Sequence, residues 1–235
     1  MPHPRSTRRR RGSPVDPERF GQDLARLVQT LSAYSIDLDE ASQARLLDYS
    51  HELLVWNRKH NLLSRSDEAN LVRKHIAASL GVFLSTPHVS GQRWIDVGTG
   101  AGFPGLVLQL ALPEVEMTLL DSSGKRCEFL RAVTSRLSPG THVVNQRAED
   151  FLSSNGGATY DVVTTKAVAT LGDCIQRFGA LVRPGGRMIT FKGPSWTQEL
   201  EEAQRRRQLE GLAFVPESAV RVPWVEAHIV ALFRR

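Results

Sequence analysis

The chain has 235 residues, a length that fits one domain of ordinary size or one domain with a helical extension. Hydrophobic residues make up 41% of the sequence and charged residues 23%, which excludes disorder throughout, and no apolar run approaches the ~20 residues that span a membrane. Thirty Lys and Arg residues stand against 25 Asp and Glu residues, so the formal net charge is +5, and we expect a soluble protein.

An arginine-rich arm, predicted to be disordered, opens the chain over residues 1–15. The first twelve residues contain no acidic residue, so residues 13–235 are formally neutral. Such an arm attracts polyanions by counterion release, but a solvated terminus without a partner is equally open. No apolar segment follows the arginines, and we therefore expect no signal peptide. The five arginines are Arg5, Arg8, Arg9, Arg10 and Arg11.

Three predicted helices follow and form a helical cap over residues 16–88. The first carries an apolar stripe at helical spacing, made of Phe20, Leu24, Leu27, Leu31 and Tyr34. Asp39 is suited to cap the second helix, whose predicted inward face is Leu46, Leu47, Leu53, Leu54 and Trp56. The third helix is predicted to end before Pro87 and to run through Leu71, His75, Ile76, Leu80 and Phe83.

From residue 89 to residue 235 the pattern changes to that of one α/β domain. Short apolar runs alternate with stretches of helical character, which indicates a parallel sheet with right-handed crossovers. Two further strand-like segments, Leu212–Val222 and Val225–Phe233, are separated by Pro223, and we expect them to pair antiparallel. The earlier runs are Arg93–Val97, Met117–Leu120, His142–Val144, Asp161–Thr164 and Met188–Phe191.

The two cysteines, Cys127 and Cys174, are far apart and form no CxxC pair. We therefore expect neither a disulfide framework nor a zinc site, and no metal cofactor at all. A reducing cytoplasm is the expected compartment.

The most informative stretch is the glycine-rich segment Asp96–Gly105, which reads DVGTGAGFPG and follows a predicted strand. Glycines let the backbone turn sharply there and let a ligand approach without a Cβ clash. Gly100–Gly105 matches the GxGxxG dinucleotide pattern, with Asp121 about 20 residues further on for a ribose hydroxyl. A glycine-rich turn without a ligand is also compatible with this stretch.

Three features favour S-adenosylmethionine over a dinucleotide. Asp96 lies two residues before Gly98, where a carboxylate can face an ammonium group but would repel a pyrophosphate. A buried strand ends at Asp121, whose carboxylate can hold both ribose hydroxyls. After Arg183-Pro184-Gly185-Gly186 the sheet closes with an antiparallel hairpin, as in class I methyltransferases. We thus predict a Rossmann-like, mostly parallel seven-stranded sheet with a C-terminal antiparallel hairpin.

Further motifs accompany the glycine-rich segment in a fixed order: Trp56-Asn57 with Asn61, then Leu119–Leu130, Arg147–Asp150, Ala167-Val168-Ala169 and Phe191-Lys192-Gly193. Together they resemble the bacterial 16S ribosomal RNA guanine-N7 methyltransferase family, also called glucose-inhibited division protein B. The resemblance implies a class I fold with an N-terminal helical cap. It also implies methyl transfer from S-adenosylmethionine to N7 of one guanine in 16S ribosomal RNA, or in the small ribosomal subunit. Separately, we expect a monomer.

The resemblance also implies roles for individual residues. It assigns Gly98, Gly100, Gly102 and Phe103 to the methionine and ribose of the cofactor, Asp121 to the ribose, and Ala148 and Glu149 to the adenine. Lys166 stands at the cofactor and substrate pocket, where the family usually has an arginine. The positive charge is kept, but the planar guanidinium group and its paired donors are lost. Ala78 stands where the family usually shows an aspartate.

The implied chemistry needs no general base, because N7 of guanine attacks with a free lone pair. Catalysis can then rest on proximity and in-line orientation. Positive charge moves onto the purine, and we therefore favour Lys166 as a substrate-positioning residue that grips an RNA phosphate. Lys192 ends a central strand, where open α/β sheets place ligands, and is a second substrate-binding candidate. His75 is either a core histidine or an RNA contact.

Four functions are compatible with these patterns. The leading one is a 16S ribosomal RNA guanine-N7 methyltransferase. The others are a methyltransferase with another substrate, an NAD-linked oxidoreductase, and an RNA-binding protein that keeps the cofactor pocket without efficient transfer.

Overall fold

The computed structural model describes residues 17–85, 90–155, 157, 159–209 and 211–234. The predicted arm over residues 1–15 lies outside them, and the predicted boundary between residues 88 and 89 falls in an undescribed stretch. In the described part of the chain, no helix is both long and apolar enough to cross a membrane.

The N-terminal helices form the predicted cap but divide it more finely. The prediction of one helix from Leu71 to Phe83 is wrong in its continuity, because an α-helix begins earlier and a π-helical turn follows it. Ser64 starts this region by accepting a hydrogen bond from Asp67 N at 3.1 Å. The elements are α1 (Pro17–Ser32), α2 (Glu40–His60), α3 (Arg65–Ala69), a π-helix (Leu71–Ile76), α4 (Ala77–Leu80) and a 3₁₀ turn (Gly81–Leu84).

Helix α2 shows what local patterns predict well and where they fail. The prediction that Asp39 is the N-cap residue of this helix is confirmed, since its carboxylate accepts a hydrogen bond from Ser42 N at 2.7 Å. Leu47, however, is 38% exposed, so its predicted inward position is wrong. Leu46, Tyr49 and Leu53 occupy the buried face at spacings of three and four, which turns Leu47 toward solvent.

The sheet has seven strands in the order β3-β2-β1-β4-β5-β7-β6. The first five strands pair in parallel, and β7 pairs antiparallel with both β5 and β6, which confirms the predicted architecture. The strand order reverses between β1 and β4, the position at which such sheets bind ligands beyond their carboxyl ends. The strands are β1 (Arg93–Val97), β2 (Glu116–Asp121), β3 (His142–Asn145), β4 (Tyr160–Lys166), β5 (Val182–Lys192), β6 (Leu212–Val222) and β7 (Ala227–Arg234).

Two apolar layers cover the two faces of this sheet. Neighbouring residues of β1 face opposite ways, so Trp94 belongs to one layer and Ile95 to the other. The layer that contains Trp94 joins the sheet to the helical cap, where Trp56 packs edge-on against Phe129 at a centroid distance of 5.7 Å. The remaining helices are α5 (Gly105–Ala111), α6 (Gly124–Leu137), α7 (Ala148–Asn155), α8 (Leu171–Phe178) and α9 (Trp196–Arg205), with a 3₁₀ turn at Gly179–Leu181.

Candidate functional site

The glycine-rich segment forms a tight loop between β1 and α5. Gly98, Gly100 and Gly102 have φ values of +73°, +62° and +107°, a region that side chains other than glycine rarely adopt. Gly105 is needed for a different reason: a Cβ there would lie 2.5 Å from both Asp96 Cβ and Leu119 Cδ2. Helix α5 can therefore begin directly on top of β1 and β2.

The cap touches this loop through Tyr49 of α2. Its fully buried hydroxyl donates to the carbonyl of Ala101 at 2.7 Å. A Cβ on Gly102 would lie 3.1 Å from the same hydroxyl oxygen. The helical cap thus fixes one side of the glycine loop.

A cavity of about 270 Å³ opens at the carboxyl ends of β1, β2 and β4, as the topology predicts. Five residues that the sequence assigned to the cofactor or to substrate positioning line it: Gly98, Asp121, Ala148, Glu149 and Lys166. Four others lie outside its lining and shape the loop beneath it: Asp96, Gly100, Gly102 and Phe103. Their predicted contacts with the cofactor stay predictions.

Asp121 holds the loop and retains capacity for a ligand. Its Oδ2 accepts from Gly100 N at 2.9 Å, and its Oδ1 accepts from Ser123 N at 2.8 Å. Arg126 Nη1 lies 3.5 Å from the same carboxylate. A carboxylate offers about four lone-pair sites, so Oδ1 keeps one for a ribose hydroxyl, and Oδ2 can accept a second where the long contact with Arg126 is given up.

Asp96 lies beneath the loop, fully buried. Gly105 N donates to its Oδ2 and Thr164 Oγ1 to its Oδ1, both at 2.8 Å. Burial raises the pKa of Asp96 to about 6, although these hydrogen bonds oppose the shift. The sequence predicted a carboxylate facing an ammonium group in the pocket. In the structure the start of α5 covers this carboxylate, which supports the loop from below, and its predicted contact with the ammonium group of a cofactor stays a prediction.

The far end of the cavity is bounded by α7 and α8. Glu149 Oε1 accepts from Arg177 Nε at 2.9 Å and from Arg177 Nη2 at 2.7 Å. The backbone N–H of Glu149 and then Arg177 hold the pKa of this carboxyl below its usual range. Phe178 adds an apolar wall. Sequence reasoning missed Arg177 and Phe178, because they come from a helix about 30 residues after the Arg147-Ala148-Glu149 motif and carry no motif of their own.

The loop after β4 closes over the glycine loop. Ala167 adopts a left-handed φ of +56°, and Val168 packs on Gly98, where a Cβ would lie 2.9 Å from Val168 Cγ2. Lys192 fixes this loop from the other side by donating to the carbonyl of Ala169 at 2.7 Å and pairing with Glu199 at 2.9 Å.

The side chain of Lys192 is only 8% exposed. Its ammonium group is therefore already committed to the protein, although the residue also borders a second cavity. The predicted contact of Lys192 with a substrate stays a prediction, and the observed contacts give it an anchoring role.

The second cavity, of about 540 Å³, adjoins the first and shares Lys166 and Ala167 with it. Lys74 and Ala78 border it from the cap side. Nothing in the sequence pattern predicted this cavity, because the cap and the sheet that form it are distant in the chain. The two cavities meet at Lys166.

Lys166 Nζ lies 5.2 Å from the centroid of the Phe103 ring and 5.9 Å from that of Phe191. It also lies 3.2 Å from His75 Nδ1. Burial lowers the pKa of Lys166 to about 8, and Asp96 opposes the shift. The lysine remains mostly charged at pH 7 and readily titratable above it.

His75 occupies the wall between cap and sheet. Its ring lies 4.8 Å from the ring of Phe103, and its side chain is 13% exposed. Burial, and after it the charge of Lys166, lowers the pKa of His75 to about 4. The imidazole is therefore neutral at pH 7, and its two ring nitrogens lie near Lys166 Nζ and Asp67 Oδ1; a direct RNA contact stays a prediction.

Within the described residues, no group of three or more His, Cys, Asp or Glu side chains is arranged to hold a metal ion. Cys127 and Cys174 are free and buried, and Cys174 lies in the same apolar layer as Ile95.

Sequence comparison relates this site to characterised proteins. The profile of the family described as rRNA small subunit methyltransferase G matches residues 42–222. A ribosomal RNA small subunit methyltransferase G from Alteromonas mediterranea is 39% identical over 177 residues, which cover 75% of this chain and 81% of the relative. The protein of the same name from Alkaliphilus oremlandii is 36% identical over 210 residues, 88% of each chain.

Structure comparison adds evidence on the fold. A TehB-like SAM-dependent methyltransferase from Corynebacterium glutamicum matches with a TM-score of 0.52 and 14% identity, over 79% of this chain and 99% of that one. Fibrillarin from Aeropyrum pernix, with natively bound S-adenosyl-L-methionine, matches with a TM-score of 0.51 and 12% identity, over 67% and 76%. These similarities confirm the predicted fold class.

Proposed function

Because this chain belongs to the rRNA small subunit methyltransferase G family, we propose that it transfers a methyl group from S-adenosylmethionine to N7 of a guanine in 16S ribosomal RNA. Membership in the family makes the chain an S-adenosylmethionine-dependent ribosomal RNA methyltransferase, and it excludes the NAD-linked oxidoreductase that the GxGxxG pattern allowed. The acceptor atom and the roles of individual residues are the proposed part.

The observation that carries the proposal is the charge of the side chain at which the two cavities meet. The titratable side chain shared by both is Lys166, a cation at neutral pH. An acceptor that must lose a proton, such as a ribose hydroxyl, calls for a base at this point. N7 of guanine attacks with a free lone pair and needs none, so a junction whose titratable side chain is an ammonium is compatible with N7 as the acceptor.

The bound cofactor supplies an electrophilic methyl group on a sulfonium. The chain's own residues bind and orient. Asp121 offers its remaining acceptor capacity to the ribose, and Ala148, Glu149 and Phe178 bound the end of the cavity assigned to adenine. The loop after β4 covers the glycine loop and excludes water, so that orientation and proximity supply most of the rate enhancement.

We also propose that the substrate is the small ribosomal subunit, that the enzyme acts in the cytoplasm, and that it acts as a monomer. The family assignment supports the first two statements, since relatives are named for the ribosomal RNA of that subunit. The predicted division into an arm, a helical cap and a methyltransferase domain is retained in this proposal.

The test is single-turnover methyl transfer from S-adenosylmethionine to small subunits that lack the modification. We expect 7-methylguanosine to form in 16S ribosomal RNA in stoichiometric amount. Methylation of another atom would show a different substrate. Binding of S-adenosylhomocysteine without any transfer would favour an RNA-binding protein that has lost the activity.

A further inference from the structure

Three polar side chains form a chain from the cap into the junction of the two cavities. Lys166 Nζ lies 3.2 Å from His75 Nδ1, and His75 Nε2 lies 3.2 Å from Asp67 Oδ1. The second contact has the distance of an ion pair but is not aligned as a full hydrogen bond. The three residues come from β4, the π-helix and α3, so only the folded cap brings them together.

The geometry fixes the proton positions within this chain. An ammonium group can only donate, so Nδ1 of the neutral imidazole accepts from Lys166 and the ring proton sits on Nε2, toward Asp67. Asp67 is itself held by Ser64 Oγ at 2.7 Å and by Lys74 Nζ at 2.5 Å.

The surrounding rings restrict Lys166 further. The ammonium lies near the faces of Phe103 and Phe191, while His75 stacks against Phe103. One of the three ammonium protons points to His75, and the others remain for a ligand in either cavity. A side chain held in this way presents a donor at a fixed place, which is the requirement for reading a base edge rather than for following a flexible phosphate backbone.

Guanine and adenine differ beside the N7 atom. Guanine presents two acceptors there, N7 and O6, whereas adenine presents the N7 acceptor and an amino donor. A fixed cationic donor next to a reacting N7 therefore accepts guanine and opposes adenine.

We propose that Asp67 and His75 are positioning residues that hold the Lys166 ammonium at the cavity junction, where it donates to O6 of the target guanine and selects guanine over adenine. This inference rests on the proposed function. It replaces the phosphate contact with a base contact, and it gives His75 a role through Lys166 instead of a direct contact with RNA.

The arrangement of Asp67, His75 and Lys166 also reduces an electrostatic cost of the reaction. The purine gains positive charge during transfer, and an isolated ammonium beside it would oppose the reaction. Asp67 at the outer end and Asp96 below supply two carboxylates near Lys166, with Lys74 as a further cation. Asp96 offsets the charge of Lys166 most, Asp67 balances the nearby charge of Lys74, and the donor of Lys166 stays in place.

The test combines variants with altered target bases. Small subunits are reconstituted with guanosine, inosine or 2-aminopurine riboside at the target position. Inosine keeps N7 and O6, whereas 2-aminopurine keeps N7 and lacks O6. With wild-type enzyme we expect inosine to react nearly as fast as guanosine, and 2-aminopurine about 10- to 100-fold more slowly, the range for a charged hydrogen bond.

Lys166→Met removes the donor and keeps an unbranched side chain. If Lys166 reads O6, this variant should lose about 10- to 100-fold on guanosine and almost nothing further on 2-aminopurine. If Lys166 grips a phosphate, the loss should be the same on every base, and the inference is overturned. A wild-type enzyme inactive on guanosine would instead refute the proposed function itself.

The positioning residues are tested by a pH profile and by rescue. His75→Phe should lower the guanosine rate about tenfold, and His75→Asn, which keeps an acceptor near the Nδ1 position, should recover much of it.

Asp67→Asn should move the alkaline limb of the pH–rate profile to lower pH, because the Asp67 carboxylate favours the charged form of Lys166. Asp23→Asn, an isosteric change at a cap carboxylate paired with Arg73, is the matched control and should leave the limb in place. Equal pH profiles for Asp67→Asn and Asp23→Asn would contradict the role of Asp67.

Discussion

At the scale of single residues, sequence and structure agree best where one motif carries the whole argument. Asp121 ends β2 and lines the cavity, as its position after a buried strand predicted. The environment of Lys166 could not be predicted in the same way, because its partner His75 lies 91 residues earlier in the chain. The motif that contains Asp96 could be recognised in the sequence, but only the fold shows that the start of α5 covers its carboxylate.

Asp121→Ala should weaken binding of S-adenosylmethionine by about 1.5–3 kcal/mol, the range for hydrogen bonds to a charged group. The change also frees Gly100 N and Ser123 N, so the glycine loop should become less ordered. Isothermal calorimetry with S-adenosylhomocysteine measures the loss. Asp150→Ala, at an exposed carboxylate outside the cavity lining, is the control and should bind normally. Equal affinities for the two variants would remove Asp121 from the cofactor site.

The rate of methyl transfer should fall as pH rises through about 8, because burial lowers the pKa of Lys166 to that value and the ammonium is lost above it. The titratable groups that face this lysine are Asp67, Lys74, His75 and Asp96. Lys166→Arg should remove the decline, since a guanidinium stays protonated across this range. Single-turnover rates between pH 7 and 9.5 provide the measurement. A decline that persists unchanged in Lys166→Arg would assign the titration to another group.

At the scale of elements, the strands and the long helices follow from periodicity, whereas short and irregular elements do not. The predicted strands all exist, because alternating burial and apolar runs are local properties. The π-helix and the short α3 were missed, since α3 has only five residues and none of them is buried, and a single π-helical turn has no apolar periodicity of its own. Leu47 was misplaced because several leucines compete for one buried face of α2.

The contact between the glycine loop and the loop after β4 gives an element-scale prediction. Gly98→Ala places a Cβ about where Val168 already packs, so it should reduce cofactor affinity at least tenfold in addition to the backbone cost of a positive φ, roughly 1–2 kcal/mol. Gly91→Ala is the matched control, with a φ of +76° and open space around the new Cβ. It should lose similar backbone stability and no affinity. Thermal unfolding measures the loss of stability, and calorimetry measures the loss of cofactor affinity. Equal affinities of the Gly98→Ala and Gly91→Ala variants would show that the packing of Val168 on Gly98 does not matter for binding.

At the scale of the whole molecule, the architecture was predictable because several independent signals pointed to it. The alternation of strands and helices, the glycine loop and the terminal hairpin each favoured the class I fold, and the seven-stranded sheet confirms it. The second cavity was not predictable, because it forms between the cap and the carboxyl ends of the sheet. Its borders combine Lys74 and Ala78 with Lys166 and Phe191, residues separated by about 90 positions or more in the chain.

The arginine arm provides a prediction for the molecule as a whole. Deleting residues 2–12 removes five positive charges and should leave the affinity for S-adenosylhomocysteine unchanged. RNA affinity should fall, and the slope of its logarithm against the logarithm of salt concentration should become shallower by up to about 4, close to 0.7–0.9 per lost phosphate contact. Identical salt slopes for the full-length and shortened proteins would mean that the arm does not contact RNA.

The central claim is that this enzyme methylates N7 of a guanine in 16S ribosomal RNA, and nucleoside mass spectrometry of that RNA tests it most directly. The RNA is compared among cells with the gene, cells without it, and deleted cells complemented with the wild-type or the Asp121→Ala sequence. We predict that one 7-methylguanosine is lost on deletion, restored by the wild-type gene and restored poorly by Asp121→Ala. An unchanged content of 7-methylguanosine in the deleted cells would contradict the claim.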